Sequence, residues 1–261
     1  MEQPPGVPVL GLANLVSDGT GISSLKLLCF LWRKFEYRAM VQSTCEVMWI
    51  YQVVQLVLSW KLQIAILKHV GSPEECDYLR ATAKPRLQVS TVVDAKTGKG
   101  IASKVRTSSG MFLSAEERKY PMIQEIEKRI SVYSQVPVEN GERIQVLRYE
   151  KNQFYRPHHD YFSDTFNVKF GGQRVATMLI YLSDNVEGGE TYFPKAGSGE
   201  CSCGGKMVRG LCVKPLKGDA VLFWSMGLDG QPDPNSLHGG CEVLAGEKWS
   251  ATKWMRQSTT S

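Results

Sequence analysis

Apolar and polar positions along the chain change rhythm near residue 58. Up to residue 57 no clean period appears, although 25–32 and 47–60 are apolar runs. Beyond that point the punctuation is regular. Ser72-Pro73-Glu74-Glu75 has the form of a capping box with proline at the first helical position, which predicts a helix ending before Pro85. Ser114-Ala115-Glu116-Glu117 is a second such box, and Pro121 interrupts or restarts the helix that follows. Ile123, Ile126, Ile130 and Tyr133 then recur at helical spacing, as a core-facing stripe does. Between the helices, STVVDAKTGKG reads as a hairpin with its tip at Lys96-Thr97-Gly98-Lys99. After Asn140-Gly141 the pattern is strand-like, with strands expected at 143–149, 174–182, 189–193, 211–213, 220–224, 241–244 and 249–255. Short strands between Gly, Pro and Asp turns predict an antiparallel sandwich or barrel, preceded by helices that cover one face.

Composition narrows the class without naming a function. With 43% hydrophobic and 22% charged residues the chain is neither disordered nor collagen-like. The 31 basic and 26 acidic residues give a net charge of +5, and the charges are scattered, so no nucleic-acid partner is expected. No run reaches the roughly 20 apolar residues that span a bilayer. The opening residues carry an acidic side chain, three prolines and no basic start, unlike a signal peptide. Seven cysteines are present, three of them (Cys201, Cys203, Cys212) in a Gly-rich loop. Cys-x-Cys lacks zinc-site spacing, so a loop-closing disulfide in an oxidising compartment is the better reading, and the odd count leaves at least one thiol free.

The candidate chemistry lies in Tyr155-Arg156-Pro157-His158-His159-Asp160-Tyr161-Phe162. In an extended chain His158 and Asp160 share a face while His159 points away. Only His69 and His238 remain as further histidines. His238, close after the 220–224 strand, would complete a facial triad of two histidines and one carboxylate, a ligand set suited to non-haem Fe(II). By itself this trio is a weak signal, and a loop histidine pair beside a hydrogen-bonding aspartate would read the same. Lys248, ten residues beyond His238, could end a slot for a carboxylate or simply snorkel to solvent between its tryptophan neighbours.

Residues 58–257 also resemble the catalytic domain of plant prolyl 4-hydroxylases, through SPEECDYLRATAKP, STVVDAKTGK, VRTSSGMFLS, RYEKNQFYRPHHDYF, GGQRVATMLIYLSD, GGETYFP, KGDAVLFWSM and DPNSLHGGCEVLAGEKWSATKW in that order. The resemblance implies an α+β, mainly β fold: a double-stranded β-helix, or jelly roll, with supporting N-terminal helices. It implies a procollagen-proline 4-dioxygenase type of enzyme, which converts peptidyl proline to 4-hydroxyproline while 2-oxoglutarate is oxidatively decarboxylated to succinate and CO2. Fe(II), 2-oxoglutarate, O2 and L-ascorbate are its implied cofactors and co-substrates. His158, Asp160 and His238 match the iron ligands, and Lys248 matches the lysine that binds the distal carboxylate of 2-oxoglutarate. Tyr149 and Thr191 match positions lining the same pocket; Tyr155, Arg174 and Trp254 match positions near the peptide groove. The hairpin around residues 94–99 resembles a mobile loop that folds over the peptide.

Implied substrates are secreted or cell-wall proline-rich proteins of the extensin or arabinogalactan type. The implied location is the lumenal side of the endoplasmic reticulum or Golgi membrane. Two features depart from the family. Residues 1–57 lack its usual membrane anchor and read as an atypical extension, membrane-associated or poorly ordered, ahead of a catalytic domain at 58–261. Glu242 stands where the family often has proline, so strand geometry near His238 could differ. Two other functions fit the same motifs: a 2-oxoglutarate dioxygenase with another substrate, or a silent jelly roll that binds proline-rich chains.

Overall fold

The computed structural model describes residues 64–94, 97–227 and 229–259. The stretch 1–57, and with it the expectation of an N-terminal extension, lies outside the described residues, as do Cys29 and Cys45.

Both capping boxes form, with different outcomes. At the first, the Ser72 hydroxyl accepts from the Glu75 N–H at 3.1 Å and the Glu75 carboxylate accepts from the Ser72 N–H at 2.8 Å, opening α1 (Pro73–Ala83). The second box, Ser114 with Glu117, caps only the short 3-10 turn Glu117–Lys119. The chain then extends through Tyr120, and α2 (Pro121–Ser134) starts at proline, whose missing N–H costs nothing in the first turn. Ile123, Ile126 and Ile130 are buried as the helical spacing predicts. Arg129 on α2 donates to the Glu75 carboxylate and to the Val70 carbonyl, tying the helices together.

The strands form a jelly roll of two antiparallel sheets. The larger has seven strands in the order Ile64–Leu67, Ala220–Trp224, Arg174–Tyr181, Lys248–Arg256, Gln145–Tyr149, Ser109–Phe112, Gln88–Val89. The smaller runs Leu211–Val213, Thr191–Phe193, His238–Gly240, Tyr155–His158. Strand alternation divides the large sheet's side chains between two environments. Ala176, Met178, Ile180, Leu222, Ala251 and Met255 join the helices in one core, and Tyr181, Val221 and Phe223 meet Phe193 and Val213 of the small sheet in another. The central strand Lys248–Arg256 is buried at every residue, because helices cover one face and the inside of the roll the other.

Most expected strands are present with end shifts of one or two residues. Two are not as expected. The 189–193 strand begins only at Thr191: Gly188 and Gly189, both at positive φ, turn the chain there, and Glu187–Gly188 just before pairs with Val243–Ala245. The expected 241–244 strand is replaced by His238–Gly240 and Val243–Ala245, with Cys241 and Glu242 in the break between them. The His-Gly-Gly ladder was hidden because glycine carries no strand signal. The hairpin expected at 90–100 forms between Thr91–Val93 and Gly100–Ala102, and the Asp94 carboxylate accepts from the Thr97 N–H and hydroxyl at its tip.

Cys201 pairs with Cys212, closing the Gly-rich loop, and a second disulfide joins Cys203 to Cys241. Cys76 is a buried free thiol, and burial pushes its pKa up to about 11. Among the described residues no helix is long and apolar enough to cross a membrane.

Candidate active site

Antiparallel pairing brings the separated histidines together: His158 stands directly opposite His238 on neighbouring strands of the small sheet. Asp160 follows two residues after His158, and ligand atoms of all three lie within 4.8 Å of one another. Each histidine is oriented alike. His158 Nδ1 lies 2.9 Å from the Arg156 carbonyl and His238 Nδ1 lies 2.9 Å from the Ser236 carbonyl, which makes Nδ1–H the donor and leaves both Nε2 lone pairs for a ligand. Thr177 on the large sheet donates its hydroxyl to Asp160 Oδ2 at 2.7 Å. His159 turns the other way, to Ser236 Oγ at 3.3 Å.

Electrostatics prepare the same three groups for a cation. Burial opposes ionisation of Asp160, but the facing His238 and His158 outweigh it and hold the carboxyl far below the usual range. His238, against the rings of Phe193 and Phe223, is brought down to about 4 by burial and is a neutral imidazole at physiological pH. One ionised carboxylate and two oriented imidazoles form the donor set of a facial-triad iron site, so the residues present fit Fe(II).

Behind the triad runs a cleft of ≈ 450 Å³, its open mouth included. Alternate residues of the central strand, Lys248, Ser250, Thr252 and Trp254, form one wall. Lys248 is 2% exposed, and among the described residues no carboxylate forms an ion pair with it. Burial brings its ammonium down to about 8, with Glu190 opposing. Tyr149 lies opposite it in the strand register, and the Tyr181 hydroxyl donates to Thr191 Oγ1 at 2.8 Å. Ser250 Oγ, Thr252 Oγ1 and Trp254 Nε1 are buried without hydrogen-bond partners. Buried polar atoms are normally satisfied, so these orphans lining the cleft, with the unpaired ammonium, fit a polar anionic ligand such as 2-oxoglutarate.

The outer part of the cleft is aromatic. Tyr155 stacks on His158 with centroids 3.7 Å apart, and the Arg106 guanidinium lies 4.8 Å from the Tyr155 ring. Arg174 does not line the cleft; its guanidinium sits 4.0 Å over the Trp254 ring and is held by the Glu142 carboxylate, which also takes Arg256. The tip of the hairpin is tied to the segment after the triad strand, where Asn167 Nδ2 donates to the Gly98 carbonyl at 3.4 Å.

His158, Asp160, His238, Lys248, Tyr149, Thr191, Tyr155 and Trp254 therefore share one cleft, with Arg174 beside it. Sequence reasoning missed Arg106 and Thr177, which also line it. Thr177 had one faint signal, the period-2 pattern of its strand, which places it on the face opposite Ala176 and Met178.

A jelly roll with a His–Asp–His centre at its mouth and a buried unpaired lysine within defines an iron- and 2-oxoglutarate-dependent oxygenase. Residues 144–256 match the 2OG-Fe(II) oxygenase superfamily. The chain is 72% identical over 216 residues to prolyl 4-hydroxylase 1 of Arabidopsis thaliana, covering 83% of this chain and 76% of that protein. It is 50% identical over 206 residues to prolyl 4-hydroxylase 5 of the same plant, covering 76% and 69%. Among solved structures, the 2OG complex of the viral collagen prolyl hydroxylase vCPH from Paramecium Bursaria Chlorella virus-1 superposes with a TM-score of 0.56 at 27% identity, over 74% of this chain and 96% of that one. The chain belongs to the prolyl 4-hydroxylase family of 2OG-Fe(II) oxygenases.

Proposed function

We propose that this enzyme hydroxylates C4 of peptidyl proline in proline-rich polypeptides of the secretory route, of the extensin or arabinogalactan type. The observation that carries the reading is the composition of one cleft: a cation-ready triad, a buried unpaired Lys248, and the aromatic side chains of Tyr155 and Trp254.

His158 and His238 would hold Fe(II) through Nε2, and Asp160 through its carboxylate. Lys248 receives the distal carboxylate of 2-oxoglutarate, with Tyr149 and Thr191 lining that pocket; in a water-poor cleft a compact ammonium attracts a carboxylate strongly. Bound there, the iron and 2-oxoglutarate supply the oxidising power: O2 is consumed, 2-oxoglutarate becomes succinate and CO2, and one oxygen atom enters the proline C4–H bond. The protein's own part is geometric. Leu147 and Leu179 help exclude water, the two carbonyl-bound histidines keep their orientation, and Asp160 stays ionised. Tyr155 and Trp254 offer flat faces to a polyproline-II chain, the mode by which such helices dock. Arg174, stacked on Trp254, orients that ring.

Ascorbate serves as the reductant that restores Fe(II) after uncoupled turnover. Two disulfides favour an oxidising compartment, and with it the lumenal side of the endoplasmic reticulum or Golgi. Membrane association through residues 1–57 belongs to the same reading.

The test is mass spectrometry of a Ser-Pro-Pro-Pro-Pro-type peptide incubated with the protein, Fe(II), 2-oxoglutarate, ascorbate and air. A gain of one oxygen on proline that requires 2-oxoglutarate is expected. Consumption of 2-oxoglutarate without peptide oxidation would assign another substrate, and neither would leave a silent binder. In the same assay Lys248→Ala should raise the 2-oxoglutarate requirement at least tenfold, whereas an unchanged requirement would remove its assigned role.

A further inference from the structure

His159 stands between two members of the triad, and the chemistry above does not use it. The strand that carries His158 ends at that residue, so Asp160 lies two residues past the last pair of the small sheet. Ladder pairing therefore fixes His158 against His238 but does not reach the carboxylate. Thr177 holds that carboxylate from the large sheet, and His159 ties down the chain that bears it. The His159 ring stacks on Tyr161 with centroids 4.7 Å apart, and its Nδ1 lies 3.3 Å from the Ser236 hydroxyl.

Ser236 is 1% exposed and closes the 3-10 turn Pro234–Ser236, two residues before His238. Local chemistry braces this turn. The Asp233 carboxylate caps it by accepting from the Asn235 N–H at 2.8 Å, and Pro234 takes a first-turn position that needs no N–H. The Asp233 N–H donates to the Ser225 carbonyl, next to the end of the Ala220–Trp224 strand. The Ser236 hydroxyl has one proton, which goes to the Asp233 carbonyl at 2.7 Å. Toward His159 that oxygen is therefore an acceptor, and His159 donates from Nδ1–H. The Ser236 carbonyl meanwhile accepts from His238 Nδ1–H at 2.9 Å. One buried serine thus touches both segments of the triad, His238 through its carbonyl and the Asp160 segment through its hydroxyl.

We propose that His159 and Ser236 are positioning residues whose hydrogen bond holds Asp160 at its working distance from His238 and so sets the affinity of the triad for a divalent metal. The inference rests on His158, Asp160 and His238 being the metal ligands. His158 Nε2 stands 3.6 Å from Asp160 Oδ1, and His238 Nε2 stands 3.7 Å from Asp160 Oδ2, close enough for all three to share one ion. Segments free to drift apart lose conformational entropy when a cation gathers them, whereas a braced set has already lost it on folding. Breaking the brace therefore weakens binding without removing a ligand atom.

The experiment is calorimetric titration of Mn(II) into the metal-free full chain, with thermal melting in parallel. The variants are His159→Phe, His159→Asn, Ser236→Ala, the double variant His159→Phe with Ser236→Ala, and His158→Ala. Phenylalanine keeps the ring and its stacking on Tyr161 but loses the donor. Asparagine gives up the ring but carries an N–H close to where Nδ1 stands. His159→Phe and Ser236→Ala should each weaken Mn(II) binding about tenfold. Both break the same contact, so the double variant should also be about tenfold weaker rather than about a hundredfold. His159→Asn should recover most of the affinity, whatever it does to the melting temperature; a role confined to ring packing would make it the worse of the two. Wild-type affinity in His159→Phe, losses that multiply in the double variant, or binding by His159→Asn no tighter than by His159→Phe would overturn the proposal while leaving the triad in place. Undiminished Mn(II) binding by His158→Ala would overturn the metal site itself.

Discussion

Single side chains in this cleft are set by partners distant in the sequence. Thr177 lies 17 positions from Asp160, yet its hydroxyl donates to Oδ2 of that carboxylate, the oxygen that lies 3.7 Å from His238 Nε2. Outer hydrogen bonds of this kind orient a ligand and hold its charge. Thr177→Val, close in shape but without the donor, should weaken metal binding about tenfold to a hundredfold with little change in melting temperature. Titration of Mn(II) against the metal-free protein reads this directly; unchanged affinity would mean that the histidines alone orient Asp160. The triad was legible in the sequence because His-x-Asp places two donors on one face of a strand and only four histidines were available. Arg106 and Glu190 were not. A buried arginine or glutamate looks like a surface one until its partners are known, and here those are the Tyr155 ring in one case and the Gly204 amide in the other.

At the scale of elements, local chemistry predicted the helices well and the small sheet poorly. The first capping box and the isoleucine stripe act within a few residues, so α1 could be read from the one and α2 from the other. The ladder carrying His238 could not, because His-Gly-Gly becomes a strand only between Thr191–Phe193 and Tyr155–His158. The disulfides show the same divide: closure of the Gly-rich loop was expected, whereas the link from Cys203 to Cys241 depends on how the sheets fold. Sequence separations of 11 and 38 residues predict unequal contributions to stability. In the chain-entropy picture, removing Cys203–Cys241 by paired serine substitution should cost about 4 kcal/mol and removing Cys201–Cys212 about 3 kcal/mol. Urea unfolding of the two double variants should rank them in that order, and the reverse order would mean that strain or residual unfolded structure outweighs loop entropy.

At the scale of the whole molecule, assembling the site inside the roll couples it to folding. His238 is neutral in the folded, metal-free protein down to about 4, while in the unfolded chain it binds a proton near 6.5. The unfolded state therefore takes up more protons as the pH falls, and stability drops through that window, by about 2 kcal/mol between pH 7 and pH 5 from this group. His159, lowered chiefly by burial, acts in the same direction. Glu75 and Glu142 act lower: their pKa values are depressed by arginine partners that overcome burial, so their contribution is lost only below the ordinary carboxylate range. Urea unfolding at pH 7 and pH 5 should show the loss, and His238→Gln should reduce it; an equal slope in the variant would place the acid sensitivity elsewhere. The sequence alone determined what is short-range: a mainly β chain behind two helices, the His158–Asp160 pair, and the order of motifs shared with prolyl 4-hydroxylases. Only the tertiary structure decided what depends on distant segments meeting. Strand pairing put His238 opposite His158, closure of the roll buried Lys248 with no ion pair among the described residues, and the second disulfide brought a turn amide to Glu190. The reason is physical: helix caps and strand alternation arise from neighbours along the chain, whereas desolvation and charge pairing depend on what the fold packs around a group.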